Sequence, residues 1–204
     1  MIKLFKKKVF TLESEEAYIK YKMNGLNDPT LPDFKLLSTA PITKEKFKKE
    51  DITKEYILSY INSAKLLADA CNVDNNNSVK LIMLTYSFSI PCLFLCRQAI
   101  ELKIKDCLEK RQINYIPIHS IVSLWNTLET SLINEEVTDE DKIIISEMNR
   151  FINLLSKLDN ENATKLRYPK DKSGNISQER VVFVCLKKIV DTAYLLIKQL
   201  DNIK

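Results

Sequence analysis

Apolar residues recur every three or four positions along most of the chain, which is the spacing of amphipathic helices. The first clear stripe follows Thr53, which we interpret as an N-cap, and its helix is expected to end at Asn72. A long central helix is predicted over about 79–110, with Ser78 as its cap. Pro91 lies inside it, so the sequence predicts either a kinked helix or two helices that meet there.

Three more helices are predicted after the central one. One opens at His119 and Ser120, the next follows a capping box at Thr138, and the last is expected to be capped by Ser177. Residues 159–176 are interpreted as a long loop. The pattern therefore predicts an all-α fold, an up-and-down bundle of four to six helices, and it contains no convincing strand.

The N-terminal quarter of the chain is less regular. A short helix is expected over residues 12–23, and Pro29, Pro32 and Pro41 then interrupt any regular element. We therefore expect residues 1–53 to form an irregular arm and residues 54–204 to form the helical domain.

Composition adds little to this picture. Only two glycines occur in 204 residues, which favours helices over hairpin-rich sheets. The net charge of +4 is too small to indicate nucleic-acid binding by itself. Residues 165–188, however, carry seven Lys or Arg against two acidic residues, an excess that either attracts phosphate or forms an ordinary solvated face.

The five cysteines form no recognisable framework, because their number is odd and their spacing is irregular. Cys92 and Cys96 lack a nearby histidine, so we expect buried thiols, no metal site and no cofactor. The uncharged residues 81–96 number 16, fewer than the roughly 20 of a membrane span. With no secretory signal visible, we expect a soluble cytoplasmic protein that does not enter the membrane.

Phosphate-binding loops and nucleophile elbows are missing from the sequence. The single histidine, His119, is a candidate acid or base, although it could simply open a helix. Arg97, Glu101 and Lys105 follow at intervals of four and share one helix face. They form either an intrahelical ladder of ion pairs, with Arg97 half-buried, or a polar seam that lines a cleft together with His119 and Arg167.

Three segments occur in an order that resembles the HEPN superfamily of helical bundles. They are SFSIPCLFLCRQAIELKIKDCLEK (87–110), IHSIVSLW (118–125) and KLRYPKDKSGN (165–175). The resemblance extends over roughly residues 54–200 and is nearest to the branch found in uncharacterised bacterial and phage-defence proteins.

The resemblance implies RNA as the target. Many HEPN proteins are metal-independent ribonucleases that act as toxins or defence effectors, and an arginine and a histidine form their site, usually across a dimer interface. The usual motif separates these two residues by four to six positions. Here Arg111 precedes His119 with seven residues between them, including Pro117, so the motif is absent.

The candidates are therefore drawn from a different constellation. The predicted catalytic residues are Arg97, Glu101 and His119, and the predicted RNA-binding residues are Lys105, Arg167, Tyr168, Lys170 and Lys172. This hypothesis describes a homodimeric RNA-binding or RNA-cleaving effector. The first alternative is a non-catalytic dimerisation or scaffold module with a protein partner. The second is a nucleotide or small-ligand pocket in which Arg97 and Lys105 hold phosphate.

Overall fold

A computed structural model describes residues 19–20, 49–71, 78–135, 137–160, 163–171, 173–177 and 183–203. Within these ranges the chain forms five α-helices and one pair of two-residue strands. The helices are α1 (Lys49–Asp69), α2 (Ser78–Lys110), α3 (Ile121–Ile133), α4 (Asp139–Leu158) and α5 (Leu186–Leu200); the strands are β1 (Ile19–Lys20) and β2 (Phe183–Val184). The predicted all-α class is confirmed, and the helix number falls in the predicted range.

The chain divides into two compact units. The described residues of the first unit are 19–20, 49–71, 78–99 and 183–191. Those of the second unit are 100–135, 137–160, 163–171, 173–177 and 192–203. Helices α2 and α5 contribute residues to both units. Arg97 belongs to the first unit, and the second unit contains most of the other candidate functional residues.

In the first unit, α1 buries one face. The apolar stripe predicted after Thr53 is buried except for Tyr60, which is half-buried. The buried members of this stripe are Ile57, Ile61, Ala64, Leu67, Ala68 and Cys71. The Sγ of Cys92 donates to the carbonyl of Ala64 at 3.3 Å, which brings α2 against α1. Strands β1 and β2 pair antiparallel, with Ile19 opposite Val184.

In the second unit, α3 and α4 pack as neighbouring helices. Both helix starts are capped, and the cap at Thr138 is the predicted one: Ser120 accepts from the N–H of Ser123, and Thr138 accepts from the N–H of Asp141. These caps satisfy backbone N–H groups that have no partner inside the helix. The core between the helices is apolar and contains Leu124, Trp125, Leu128, Ile144, Met148, Phe151 and Leu155.

Several predicted element boundaries are wrong. Helix α1 begins at Lys49 and ends at Asp69, so Thr53 lies within it and does not cap it. Ile19 and Lys20 form a strand where a helix over 12–23 was expected, and the rest of that segment lies outside the described residues. The last helix begins at Leu186 and not after Ser177. The intervening run Val-Val-Phe-Val is rich in β-branched and aromatic residues, which favour strands over helices.

Pro91 does not divide the central helix, because α2 is continuous from Ser78 to Lys110. In the described part of the chain, no helix is both long enough and apolar enough to cross a membrane.

Candidate functional site

Glu101 is the acidic residue of the candidate site. It lies on α2 in the second unit, and only 1% of its side chain is exposed. Lys105, one helical turn later, places its Nζ 2.7 Å from Oε1 of Glu101. A buried carboxylate is costly unless a positive charge and hydrogen bonds replace its lost hydration. The predicted pairing of Glu101 with Lys105 is confirmed, and it compensates the buried negative charge.

The end of α2 turns the chain sharply. Gln112 adopts a left-handed φ of 56°, and the N–H of Ile113 donates to the carbonyl of Leu108 at 2.9 Å. The N–H of Gln112 donates to the carbonyl of Glu109 at 3.0 Å, which completes a Schellman-type C-cap. The usual residue at this left-handed position is glycine, so the glutamine stores some backbone strain.

Arg111 fixes the following loop to the end of α3. Its Nε donates to Oγ of Ser131 at 3.2 Å, and its guanidinium forms an ion pair with Glu135. The loop then reaches His119, which directly precedes the N-cap of α3. Because both ends of the loop are fixed to helices, the imidazole has a defined position relative to α2.

His119 and Glu101 are in direct contact. Nδ1 of the histidine lies 2.9 Å from Oε1 of the carboxylate, while 54% of the histidine side chain is exposed. When Glu101 is ionised its carboxylate can only accept hydrogen bonds, and the contact then requires the tautomer of His119 with a proton on Nδ1. Nε2 is then the nitrogen through which this half-exposed ring would exchange a proton with a substrate. The contact with the carboxylate orients the ring.

Arg97 occupies a different environment from the other predicted catalytic residues. It was expected to be half-buried, but only 1% of it is exposed. It directly follows the uncharged, largely apolar residues 81–96 of α2. The catalytic role of Arg97 stays a prediction.

A second group of predicted residues lies in the loop after α4. The start of this loop is tied to the helix end, because Oδ1 of Asp159 accepts from the N–H of Lys165 at 2.9 Å. Oδ1 of Asn160 accepts from the N–H of Thr164 at 2.7 Å. These hydrogen bonds give the segment that leads to Tyr168 a fixed conformation.

Residues 168–171 and 173–177 then form the two sides of a small hairpin, the 168–177 hairpin. The N–H of Ser177 donates to the carbonyl of Pro169 at 2.9 Å, and the N–H of Asp171 donates to the carbonyl of Asn175 at 2.9 Å. Gly174 has a φ of 86°, a conformation that residues with a Cβ rarely adopt. The hairpin is therefore held by its backbone, although most of its side chains are exposed.

The carboxylate of Asp171 also organises the hairpin tip. Its Oδ1 accepts from the N–H groups of Ser173 at 2.8 Å and Asn175 at 2.9 Å, and its Oδ2 accepts from Nδ2 of Asn175 at 3.2 Å. The side-chain hydrogen bond from Asn175, followed by the backbone bonds, holds the pKa of Asp171 below its ordinary value. Asp171 therefore keeps a negative charge at neutral pH.

A cleft of about 320 Å³ lies beside this hairpin and is lined by Thr164, Tyr168, Lys170 and Asp171. Tyr168 is 56% exposed, so its ring is accessible. The structure thus brings together two of the predicted RNA-binding residues, Tyr168 and Lys170. The sequence interpretation missed Thr164 and Asp171, although turn-forming residues between Asp171 and Asn175 were a readable signal.

The other predicted RNA-binding residues are placed differently. Lys105 lies against Glu101, and Arg167 has its Nε and one Nη atom buried. Lys172 lies outside the described residues.

The structure gives no support for metal or disulfide chemistry within its described ranges. No group of three His, Cys, Asp or Glu side chains there could hold a metal ion. The five cysteines, all described, form no disulfide, and four are buried as predicted, whereas Cys185 is partly exposed. Burial raises the pKa of Cys92 to about 12 and that of Cys107 to about 11.

A comparison with known proteins identifies the family of this chain. A family model described as the HEPN domain matches residues 87–193, a narrower range than the resemblance over 54–200 suggested. No curated protein and no solved structure matches the chain significantly. The matched range begins within α2, ends within α5, and includes Glu101, Lys105, His119 and the 168–177 hairpin. More than half of the chain is matched, and its described part is helical as the family requires, so the chain belongs to the HEPN domain family.

Proposed function

We propose that this protein is an RNA-directed HEPN effector that cleaves RNA without a metal ion, with His119 as its acid–base residue. HEPN domains often act as ribonucleases or in association with nucleotidyltransferases. The observation that carries the proposal is the 2.9 Å contact between the half-exposed His119 and the buried Glu101. On the sequence resemblance, we place this activity among toxin or phage-defence effectors.

The chemistry needs only the RNA itself and a proton carrier. Nε2 of His119 accepts the proton of a ribose 2′-hydroxyl as the 2′ oxygen bonds to the adjacent phosphorus. The bond from phosphorus to the 5′ oxygen breaks, and that oxygen takes a proton from the imidazolium or from water. The products are a 2′,3′-cyclic phosphate and a 5′-hydroxyl. Glu101 acts here as a positioning residue, because it contacts the ring and not the reacting atoms.

Positively charged side chains would bind the RNA backbone. We propose that Lys105, Arg167, Lys170 and Lys172 contribute charge, and that Tyr168 supplies an aromatic surface for bases. Binding through phosphate contacts releases counterions, so the affinity for RNA should fall as salt concentration rises.

The test is cleavage of total cellular RNA, including tRNA, by the purified protein in the presence of a chelator. His119→Ala removes the proton carrier, and Arg97→Ala tests the remaining predicted catalytic residue. Lys142→Ala is a matched control, because Lys142 is an exposed cation on α4 whose ion pair with Asp139 lies at the surface. The ends of the products are examined for the 2′,3′-cyclic phosphate.

If the proposal holds, the wild type and Lys142→Ala cleave RNA, and folded His119→Ala loses roughly 10²- to 10⁴-fold in rate. Equal cleavage by His119→Ala would remove the proposed role of the histidine. An absence of cleavage by the wild type at high protein concentration would reject the nuclease proposal for the protein alone.

A second candidate function is a non-catalytic dimerisation or scaffold module. HEPN domains commonly dimerise. In the first unit, α1 exposes three large apolar side chains, Ile52, Tyr56 and Leu66, whose spacing places them on one helix face. We expect this face to be covered by a second copy or a protein partner. Light scattering of the wild type beside Tyr56→Glu tests this, and an unchanged molar mass in the variant would exclude α1 as the dimer surface.

A further inference from the structure

The cleft beside the 168–177 hairpin has the properties of a subsite for one unpaired nucleobase. Three features of the second unit point to this use: an accessible aromatic ring, a cation two residues away, and a backbone that holds both in place. The inference rests on the proposed function, since it specifies which form of RNA the protein takes.

Tyr168 supplies the stacking surface. It is 56% exposed and lines the cleft, so one face of a base can reach the ring without displacing protein core. A base inside a duplex is stacked on both sides and cannot be reached in this way, whereas an unpaired base can. Any base can stack on an aromatic ring. This contact therefore selects single-stranded over double-stranded RNA and does not select a base sequence.

The charges at the cleft determine whether the phosphate or the base of a nucleotide binds against Tyr168. Lys170 is exposed at the same cleft and attracts phosphate, while the adjacent carboxylate of Asp171 repels it. Asp171 is held in place by three hydrogen bonds from Ser173 and Asn175. A phosphate is therefore favoured at Lys170 and disfavoured beside Asp171, which leaves the neutral base as the group to be accommodated against the ring.

The hairpin presents these groups without the need to fold on binding. Its backbone is closed by the hydrogen bonds from Ser177 to Pro169 and from Asp171 to Asn175, each 2.9 Å long. A preformed site loses less conformational entropy when ligand binds than a mobile loop does. The cleft volume of about 320 Å³ lies at the lower end of the range of small-ligand sites, which suits one base and not a helix of RNA.

We infer that the cleft lined by Thr164, Tyr168, Lys170 and Asp171 binds a single unpaired nucleobase of a single-stranded RNA, with Tyr168 stacked on the base and Lys170 on its phosphate.

The test is fluorescence anisotropy with the full-length chain carrying His119→Ala, so that the probe is not consumed. The probes are a single-stranded RNA of about 12 nucleotides, the same strand in a duplex, and a fully abasic strand of the same length. Tyr168→Ala removes the ring, and Tyr168→Phe keeps it. The side chain is exposed, so both variants are expected to fold, which circular dichroism verifies.

We expect the duplex and the fully abasic strand both to bind more weakly than the single strand. Tyr168→Ala should weaken single-strand binding roughly 5- to 150-fold, with Tyr168→Phe within about 2-fold of the parent protein. Lys170→Ala should lower the salt dependence of binding by about one phosphate contact.

Two outcomes separate this inference from the proposed function. If the RNA binds but Tyr168→Ala matches its parent, or the duplex binds equally well, the base subsite is rejected while RNA cleavage can still be tested in the chain with His119 intact. If no RNA binds at all and the wild type does not cleave, both proposals fail together.

Discussion

Replacement of Glu101 by glutamine tests the link between the buried carboxylate and the exposed histidine. The side chain keeps its size, but its two charge-assisted hydrogen bonds, 2.7 Å to Lys105 and 2.9 Å to His119, become bonds to a neutral amide. Each such change costs about 1 kcal/mol when the acceptor is buried. Because His119 is half-exposed, water compensates part of the loss, so we expect roughly 1–2 kcal/mol in the free energy of unfolding, or a Tm lower by about 2–8 °C.

The effect on cleavage should be larger than the effect on stability. An amide can offer its NH₂ group to Nδ1, which favours the wrong tautomer of His119 and removes the negative charge that stabilises the imidazolium. We expect the cleavage rate of Glu101→Gln to fall roughly 10²-fold or more at a temperature where the variant is folded. In the background of His119→Ala, the same substitution should cause no further loss of rate, since Glu101 acts through the ring.

Asp106→Asn is a matched control. Asp106 is another buried carboxylate on α2, and its Oδ2 accepts from Lys103 at 3.0 Å and from Lys110 at 2.8 Å, without a histidine. It should lose similar stability and retain cleavage. If Asp106→Asn and Glu101→Gln lose the same activity, the loss follows stability and the positioning role of Glu101 is refuted. A further rate loss from Glu101→Gln in the His119→Ala background would refute it independently.

Three other predictions concern the second unit and the cysteines. Leu128→Ala should cost about 2–5 kcal/mol of unfolding free energy in a denaturant titration, whereas Ile143→Ala, on the exposed face of α4, should cost less than about 0.5 kcal/mol; equal effects would contradict the packing of α3 on α4. Gln112→Gly should raise the melting temperature, because glycine adopts a left-handed φ without the strain of roughly 0.5–1 kcal/mol that glutamine carries there. A lower melting temperature would show that the glutamine side chain stabilises the fold by more than this strain costs. At pH 8 the thiols of Cys92 and Cys107, whose pKa values burial raises to about 12 and about 11, should resist alkylation until the protein is unfolded; rapid labelling of the native protein would show that α2 opens.

The helical fold was predictable because most helices carry strong local signals. Helix α3 begins next to Ser120 and Thr138 caps α4, both as expected, because each start depends on residues within one turn of each other. The errors arise where a distant partner decides the structure. Ile19 and Lys20 form a strand only because Phe183 and Val184 pair with them from more than 160 residues away. No local pattern around residue 19 carries that information.

The candidate site shows the same division between local and distant information. The pairing of Glu101 with Lys105 follows from a spacing of four on one helix, so the sequence was sufficient. The contact of His119 with Glu101 depends on the turn at Gln112 and on the anchoring of Arg111 to α3, and neither has a characteristic sequence pattern. A histidine 18 positions from a carboxylate could be named as a candidate, but its partner could not be assigned.

The usual spacing between an arginine and a histidine is absent from this chain, and the charged group that contacts His119 is a carboxylate. In the usual motif of the family that the sequence resembles, four to six residues separate the arginine from the histidine. His119 precedes α3. The charged group that contacts its ring is the carboxylate of Glu101, which lies 18 positions earlier, on α2. If this chain cleaves RNA, the negative charge that builds up on the phosphate oxygens needs a cation beside it, and Lys105, one helical turn from Glu101, is the candidate. Lys105→Ala should then reduce the rate on RNA while leaving His119 in contact with Glu101, a combination that a purely structural ion pair would not produce.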